Sequence, residues 1–152
     1  MKTRNAISED LPAILDLYRF LQPTDPALNP HDGAVRKHWM MILHDSRLRY
    51  FVTESEAKIV SCCTLTLIPN LTRSMRPYGI IENVVTAPEF RKRGFATSVL
   101  CAALEDAWRE GCYKVMLMTG SKREDTLRFY EKAGFQRGIK TGFIAYPNEK
   151  RG

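Results

Sequence analysis

No stretch of the 152 residues stays apolar for the roughly 18 positions a membrane-crossing helix needs, and the start has no apolar core of a secretory leader. A cytoplasmic chain that stays out of the bilayer is therefore expected. Cysteine is scarce. The four thiols, Cys62, Cys63, Cys101 and Cys112, show no Cys-x-x-Cys spacing, which removes the usual structural zinc site and suits free thiols in a reducing compartment. The three histidines, His31, His38 and His44, fall in one early segment. A surface position or core packing, rather than metal binding, is expected of them. The nucleotide motifs are missing too. Gly138-Ile139-Lys140-Thr141 lacks a Gly-Lys-Ser/Thr core, and there is neither a Gly-x-Gly-x-x-Gly turn nor a Gly-x-Ser-x-Gly elbow. The net charge is +6, but no block of five or six like charges carries it. Binding to nucleic acid is not expected; a phosphate-bearing ligand is.

What is present suits one domain, since a chain this long buries about 70% of its unfolded surface. Residues 3–7 read as a strand. Ser8 then caps a helix in which Leu11, Ile14, Leu15, Tyr18 and Leu21 recur at helical spacing. Pro23, Pro26 and Pro30 make residues 22–32 a loop, and a second helix is expected over 32–44. Residues 49–53 and 59–68 read as a hairpin turning at Ser55-Glu56-Ala57. A strand over 78–86, a helix over 94–110, a strand over 113–119 and a short helix over 124–133 follow. One or two last strands are expected over 135–146, then a polar tail from residue 148.

The centre of the chain is Ile80-Ile81-Glu82-Asn83-Val84-Val85-Thr86, a strand rich in β-branched residues, ended by Pro88. Arg91-Lys92-Arg93-Gly94-Phe95-Ala96-Thr97 then opens a helix. A helix start offers unpaired N–H groups and a partial positive charge, and the small Gly94 and Ala96 let an anion approach the backbone. Arg91, Lys92 and Arg93 add full charge. The stretch reads as a phosphate or pyrophosphate site. On these residues alone, a solvated basic turn is an equal reading.

The wider pattern separates the two. Arg91-Lys92-Arg93-Gly94-Phe95-Ala96 matches Arg/Gln-x-x-Gly-x-Gly/Ala behind a Val-Val-Thr strand end. Further on stands Arg128-Phe129-Tyr130-Glu131-Lys132-Ala133-Gly134-Phe135. Over residues 78–137 this pair of motifs resembles the GCN5-related N-acetyltransferase (GNAT) family. The resemblance implies a single α/β domain over residues 1–147. It has a mixed, mostly antiparallel sheet, helices on both faces, and a cleft splayed between the strands at 78–86 and 113–119.

The resemblance also implies acetyl-CoA as co-substrate, with no metal. The backbone of Val84, Val85 and Thr86 lines its acetyl–pantetheine arm, the Val85 N–H polarises the thioester carbonyl, and the backbone from Lys92 to Thr97 holds the pyrophosphate. Tyr130 donates a proton to the leaving thiolate. Where many relatives carry Asn, this chain has Arg123. The acceptor is a small-molecule or peptide amine, and many relatives are dimers, although no interface is legible here.

Two residues carry competing readings. Glu82, polar within an apolar strand, is either an ion-pair partner of an arginine or a base for the acceptor amine. An ordinary carboxylate taking a proton directly from an alkylammonium is uphill by about 8 kcal/mol, so orienting a water or the amine suits it better. Tyr130 on pattern alone is a core aromatic. Read as an acid its task is mild, because proton transfer from a phenol to a thiolate is uphill by only about 2 kcal/mol. A non-catalytic module that binds acetyl-CoA is the rival to the enzyme reading.

Overall fold

The computed structural model describes residues 1–147; the polar tail expected from residue 148 lies outside the described residues. The chain forms two compact units, Met1–Leu117 and the residues from Met118 onward.

The first unit carries β1 (Lys2–Asn5), a 3-10 turn at Ser8–Asp10, α1 (Leu11–Leu21), α2 (Gly33–His44), β2 (Leu48–Ser55), β3 (Lys58–Ile68), a short turn α3 (Thr72–Met75), β4 (Tyr78–Thr86), α4 (Phe95–Arg109) and β5 (Val115–Leu117). The five strands lie in sequence order in one sheet. Neighbours are antiparallel except for β4 and β5, which the α4 crossover makes parallel. The hairpin turn is tighter than expected. Glu56 and Ala57 both take left-handed dihedrals (φ 52 and 59), so β2 and β3 run to within two residues of each other.

Strand alternation sends adjacent residues to opposite layers. Val52, Cys62 and Val85 pack with Leu11, Ile14, Leu17 and Trp39 of α1 and α2. On the other face the Cys63 thiol donates to the Val99 carbonyl of α4 (3.5 Å), and Thr3 Oγ1 bridges Thr53 and Ser98 (2.7 and 2.6 Å). Burial pushes the Cys62 thiol up to about 12 and raises Cys63 as well. Both stay protonated at neutral pH and are poor nucleophiles. Asp32, not a helical residue, caps α2 by accepting from the Ala34 and Val35 N–H groups, and His31 precedes that helix. Ser8 makes no side-chain cap; the Asp10 carboxylate takes the Ile7 N–H instead (2.8 Å) and pairs with Arg4.

In the second unit α5 (Glu124–Lys132) ends in a Schellman motif, with Gly134 left-handed (φ 100), Gly134 N–H on the Glu131 carbonyl and Phe135 N–H on the Tyr130 carbonyl. The strands expected over 135–146 do not form among the described residues. Gly138 turns left-handed (φ 78) and cuts the run, and Ile139, Phe143, Ile144 and Tyr146 stand exposed.

Candidate functional site

β4 departs from regular pairing just before the Val84-Val85-Thr86 strand end. Its register with β3 passes from Thr64↔Glu82 to Cys62↔Val85, so β4 spends one residue more than β3 across this step. The extra residue makes a β-bulge, and Asn83 takes a left-handed φ of 55 within it. Asparagine is among the few non-glycine residues that tolerate this region. The bulge ends strict alternation, so the rule that neighbouring strand residues face opposite ways does not carry across Glu82 and Asn83. Glu82 is exposed, Asn83 and Val84 are half-buried, and Val85 and Thr86 are buried. Among the described residues Glu82 makes no ion pair.

The strand beyond the bulge is pinned from the β3 side. Ser61 Oγ donates to the Val85 carbonyl (2.9 Å) and shares a hydrogen bond with Thr86 Oγ1 (2.8 Å). On the other side, the β4–β5 ladder covers only Gly79, Ile80 and Ile81. From Glu82 to Thr86, β4 has no ladder partner on that edge among the described residues, which is the splay expected of the sheet. β5 itself is three residues long rather than seven, because pairing ends where the bulge begins.

The basic stretch follows at once. Arg91 Nε donates to the Thr86 carbonyl (3.2 Å), tying the turn to the strand end, and the Arg93 guanidinium lies over the Phe90 ring at 5.5 Å. Lys92 (φ 60) and Gly94 (φ 84) are both left-handed, and Gly94 is the N-cap of α4. Such alternation turns successive N–H groups inward to make an anion-binding concavity. The N–H groups of Phe95, Ala96 and Thr97 precede the first helical acceptor and have no partner within α4, whereas Ser98 N–H already bonds the Gly94 carbonyl (3.0 Å). A Cβ at Gly94 would meet no atom within 4 Å, so the space before the helix start is open. These features fit a pyrophosphate. Phe95 offers only its backbone, since its ring is buried edge-on against Phe90 (5.8 Å).

Tyr130 belongs to the second unit. It is half-buried on α5, with its ring 4.9 Å from Phe129 and 6.3 Å from Phe135. Arg123 is exposed and paired with Asp125 (2.6 Å). The arginines of the 69–77 loop have local duties. Arg76 donates to the Gly111 and Cys112 carbonyls beyond α4, and Arg73 lies over the Tyr113 ring.

Comparison with known proteins supplies the family. The acetyltransferase (GNAT) family profile matches residues 13–135. The chain belongs to this family. A solved protein of Agrobacterium tumefaciens str. C58, whose own acetyltransferase assignment is provisional, is 41% identical over 97% of this chain and 100% of that one, with a TM-score of 0.90. A glucosamine 6-phosphate N-acetyltransferase of Trypanosoma brucei brucei is 35% identical over 88 residues, 58% of each chain. A Bacillus halodurans C-125 structure described as a transcriptional regulator is 25% identical over 95% of this chain and 99% of that one, with a TM-score of 0.83. The chain spans under two thirds of the length of the curated relatives it matches.

Acetyl-CoA is the co-substrate of GNAT enzymes, and the basic turn and α4 start offer the unpaired N–H groups and positive charge that a pyrophosphate needs. The structure joins Glu82–Thr86 and Arg91–Thr97 as consecutive parts of one unit and describes Tyr130 in the other. Sequence reasoning missed Ser61, whose hydroxyl holds the Val85 peptide, and the bulge itself. An asparagine inside an apolar strand was the one signal available for the latter.

Proposed function

We propose that this chain is an N-acetyltransferase that moves the acetyl group of acetyl-CoA to a primary amine by direct attack, both substrates being bound together. The observation that carries this reading is the bulged β4 running straight into the glycine-capped basic start of α4. The Val85 N–H expected for the thioester turns toward the Cys62 carbonyl of β3 by its register, so a backbone N–H on the unpaired edge of β4 polarises the thioester carbonyl, an oxyanion-hole task in which one donor is worth roughly 10²–10³ in rate. The backbone of Val84 and Thr86 lines the arm. Lys92 to Thr97 hold the pyrophosphate with backbone N–H groups, while Arg91 and Arg93 supply charge.

In the step itself the amine nitrogen bonds to the carbonyl carbon and the carbon–sulfur bond breaks. The departing thiolate takes the Tyr130 phenolic proton, and the ammonium proton leaves through a water held by the exposed Glu82. No covalent protein intermediate is required, and the buried Cys62 and Cys63 are held protonated by burial.

A phosphorylated amino sugar, glucosamine 6-phosphate, is the first acceptor to test. The name of the Trypanosoma relative supports it, and the net charge of +6 suits an anionic acceptor. The test is a screen of thiol release from acetyl-CoA over amino sugars, aminoglycosides, polyamines, amino acids and peptides. Turnover with an amino sugar phosphate well above the other amines is expected. Release with none of them, despite tight acetyl-CoA binding, would favour a non-catalytic binding module, the reading that the Bacillus relative's description suggests.

A further inference from the structure

β3 places a hydroxyl against a β4 carbonyl on each side of the bulge. Thr64 Oγ1 donates to the Glu82 carbonyl (3.1 Å), and Ser61 Oγ donates to the Val85 carbonyl (2.9 Å). A trans peptide points its C=O and its N–H in opposite directions, and no cis bond occurs among the described residues. A Val85 carbonyl held toward β3 therefore sends the Thr86 N–H toward the other edge of β4. The register agrees. Ala87 N–H bonds the Val60 carbonyl of β3 (2.9 Å), so Thr86, one residue back, turns its N–H the opposite way. On that side β4 has no ladder partner beyond Ile81 among the described residues.

Ser61 is fully buried, and its one hydroxyl proton goes to the Val85 carbonyl. The 2.8 Å contact between Ser61 Oγ and Thr86 Oγ1 is therefore donated by Thr86. The bonds run from the Thr86 hydroxyl through Ser61 to the Val85 carbonyl, so the chain starts and ends on the two residues that share one peptide. Successive hydrogen bonds polarise one another, and a donor on a carbonyl strengthens the N–H at the far side of the same amide. Stability alone does not ask for this pair, because exchanging both members of a buried hydrogen bond for apolar groups of like shape is nearly neutral. Arg91 Nε holds the next carbonyl, that of Thr86 (3.2 Å), so the peptides on either side of Thr86 are fixed separately, one from β3 and one from the basic turn.

We infer that Ser61 is a positioning residue for the coenzyme: its hydroxyl orients and polarises the Val85–Thr86 peptide so that the Thr86 N–H hydrogen-bonds the pantetheine arm of acetyl-CoA at the open edge of β4. The inference rests on the acetyl-transfer reading above and adds to it a β3 residue that acts through the strand beside it. It also separates two parts of the ligand. The arm depends on Ser61, whereas phosphates held at the basic turn do not.

The test reads that peptide directly. Valine labelled with carbon-13 at the carbonyl and threonine labelled with nitrogen-15 leave two peptides visible in a carbonyl-filtered amide spectrum, Val52–Thr53 and Val85–Thr86. Thr53 lies opposite Ser61 on β2 and reports any repacking around the mutated position. Spectra are taken of the wild type and Ser61→Ala, free, with acetyl-CoA, and with adenosine 3′,5′-diphosphate, which carries phosphates but no arm. Calorimetry gives both affinities for these proteins and for Ser61→Ala/Thr86→Val, in which no hydroxyl is left without its partner. In the wild type acetyl-CoA should move the Thr86 amide proton downfield, further than the diphosphate does. In Ser61→Ala that displacement should shrink. The acetyl-CoA Kd should rise about fivefold, the worth of one net hydrogen bond, in both Ser61 variants, while the Kd of the diphosphate stays put. An equal loss for the two ligands would make Ser61 a general support of the strand and overturn the inference. So would an unchanged acetyl-CoA Kd in Ser61→Ala, a return of that Kd to the wild-type value in the double variant, or a wild-type Thr86 proton that acetyl-CoA leaves in place. Each of these leaves the acetyl-transfer reading standing. A wild type that fails to bind acetyl-CoA would overturn both.

Discussion

Tyr130 and Phe135 are joined twice: the Phe135 N–H donates to the Tyr130 carbonyl at 3.1 Å, and the two rings stand edge to face at 6.3 Å. These are the backbone bond and the hydrophobic contact of a Schellman motif, with Tyr130 at the third position from the helix end. Ring and backbone of Tyr130 thus serve the helix terminus, and the hydroxyl has no part in either contact. The one-atom change Tyr130→Phe keeps both of these contacts.

Tyr130→Phe keeps the ring and its contacts with Phe129 and Phe135, and a melting temperature taken beside the kinetics separates a loss of stability from a loss of chemistry. Its kcat should fall by roughly 10²–10⁴, the range for a single general acid, with acetyl-CoA affinity barely moved. Steady-state kinetics and calorimetry on the same preparation decide. Equal turnover in both proteins would leave Tyr130 as a helix-end aromatic alone.

Gly94→Glu addresses the pyrophosphate. The open space around Gly94 means that no clash disturbs the fold, and the left-handed φ adds only about 1–2 kcal/mol of strain. The carboxylate would face the phosphates, where like-charge opposition costs several kcal/mol, so the acetyl-CoA Kd should rise roughly 100-fold or more. Gly94→Ala, which carries the strain without the charge, is the control. A Kd for Gly94→Glu matching that of Gly94→Ala would remove the anion site from the α4 start.

How much of this could be read from residues alone differs sharply between elements. β4 runs over the residues its β-branched content indicates, and α5 stops where Gly134 says it should. The bulge escapes a reading of residues alone because one asparagine in a left-handed conformation leaves no periodic trace. The Glu56–Ala57 turn carried no glycine to announce its two-residue geometry. β5 and the absent strands after Phe135 show the limit of strand propensity, since a strand is defined by its partner and not by its own side chains. Helical spacing puts Trp108 on the same apolar side of α4 as Val99, Leu100, Ala103, Leu104 and Ala107, yet it is 51% exposed, while Asp106 is buried beside Arg49 and Arg109. Helical spacing locates a face but not its edges.

The positive charge should act on coenzyme phosphates and not on a polynucleotide. Adenosine 3′,5′-diphosphate should displace acetyl-CoA competitively, and double-stranded DNA should bind weakly, with affinity falling steeply as salt rises. Titration of both ligands at physiological ionic strength is the check. Tight, sequence-selective DNA binding unaffected by acetyl-CoA would contradict the assignment.

The Arg4–Asp10–Glu54 network gives the fold an acid-sensitive brace. Burial works to raise the Asp10 carboxyl, but the Arg4 hydrogen bond and charge and the Ile7 N–H outweigh it and hold it below the usual carboxylate range. A depressed folded-state value contributes stability above the unfolded value near 3.9, and that stability is lost as pH falls through the folded value. Arg4→Met should therefore destabilise by about 1–3 kcal/mol at pH 7, between the exposed-pair and buried-pair ranges. The gap from wild type should begin to narrow as pH falls past the unfolded value near 3.9 and close as it falls through the lower folded value of Asp10. Urea midpoints taken across that interval read it; a gap independent of pH would assign the loss to packing.

The claim that stands behind the rest is direct transfer from acetyl-CoA to an amine. A single-turnover reaction with acetyl-labelled acetyl-CoA, excess enzyme and glucosamine 6-phosphate, quenched in time and analysed for label on protein and on amine, tests it most directly. The account predicts that label reaches the amine as fast as CoA is released, with none held on the protein. Label that lodges first on a side chain such as the exposed Cys101, or an enzyme that binds acetyl-CoA and passes label to no amine offered, would contradict it.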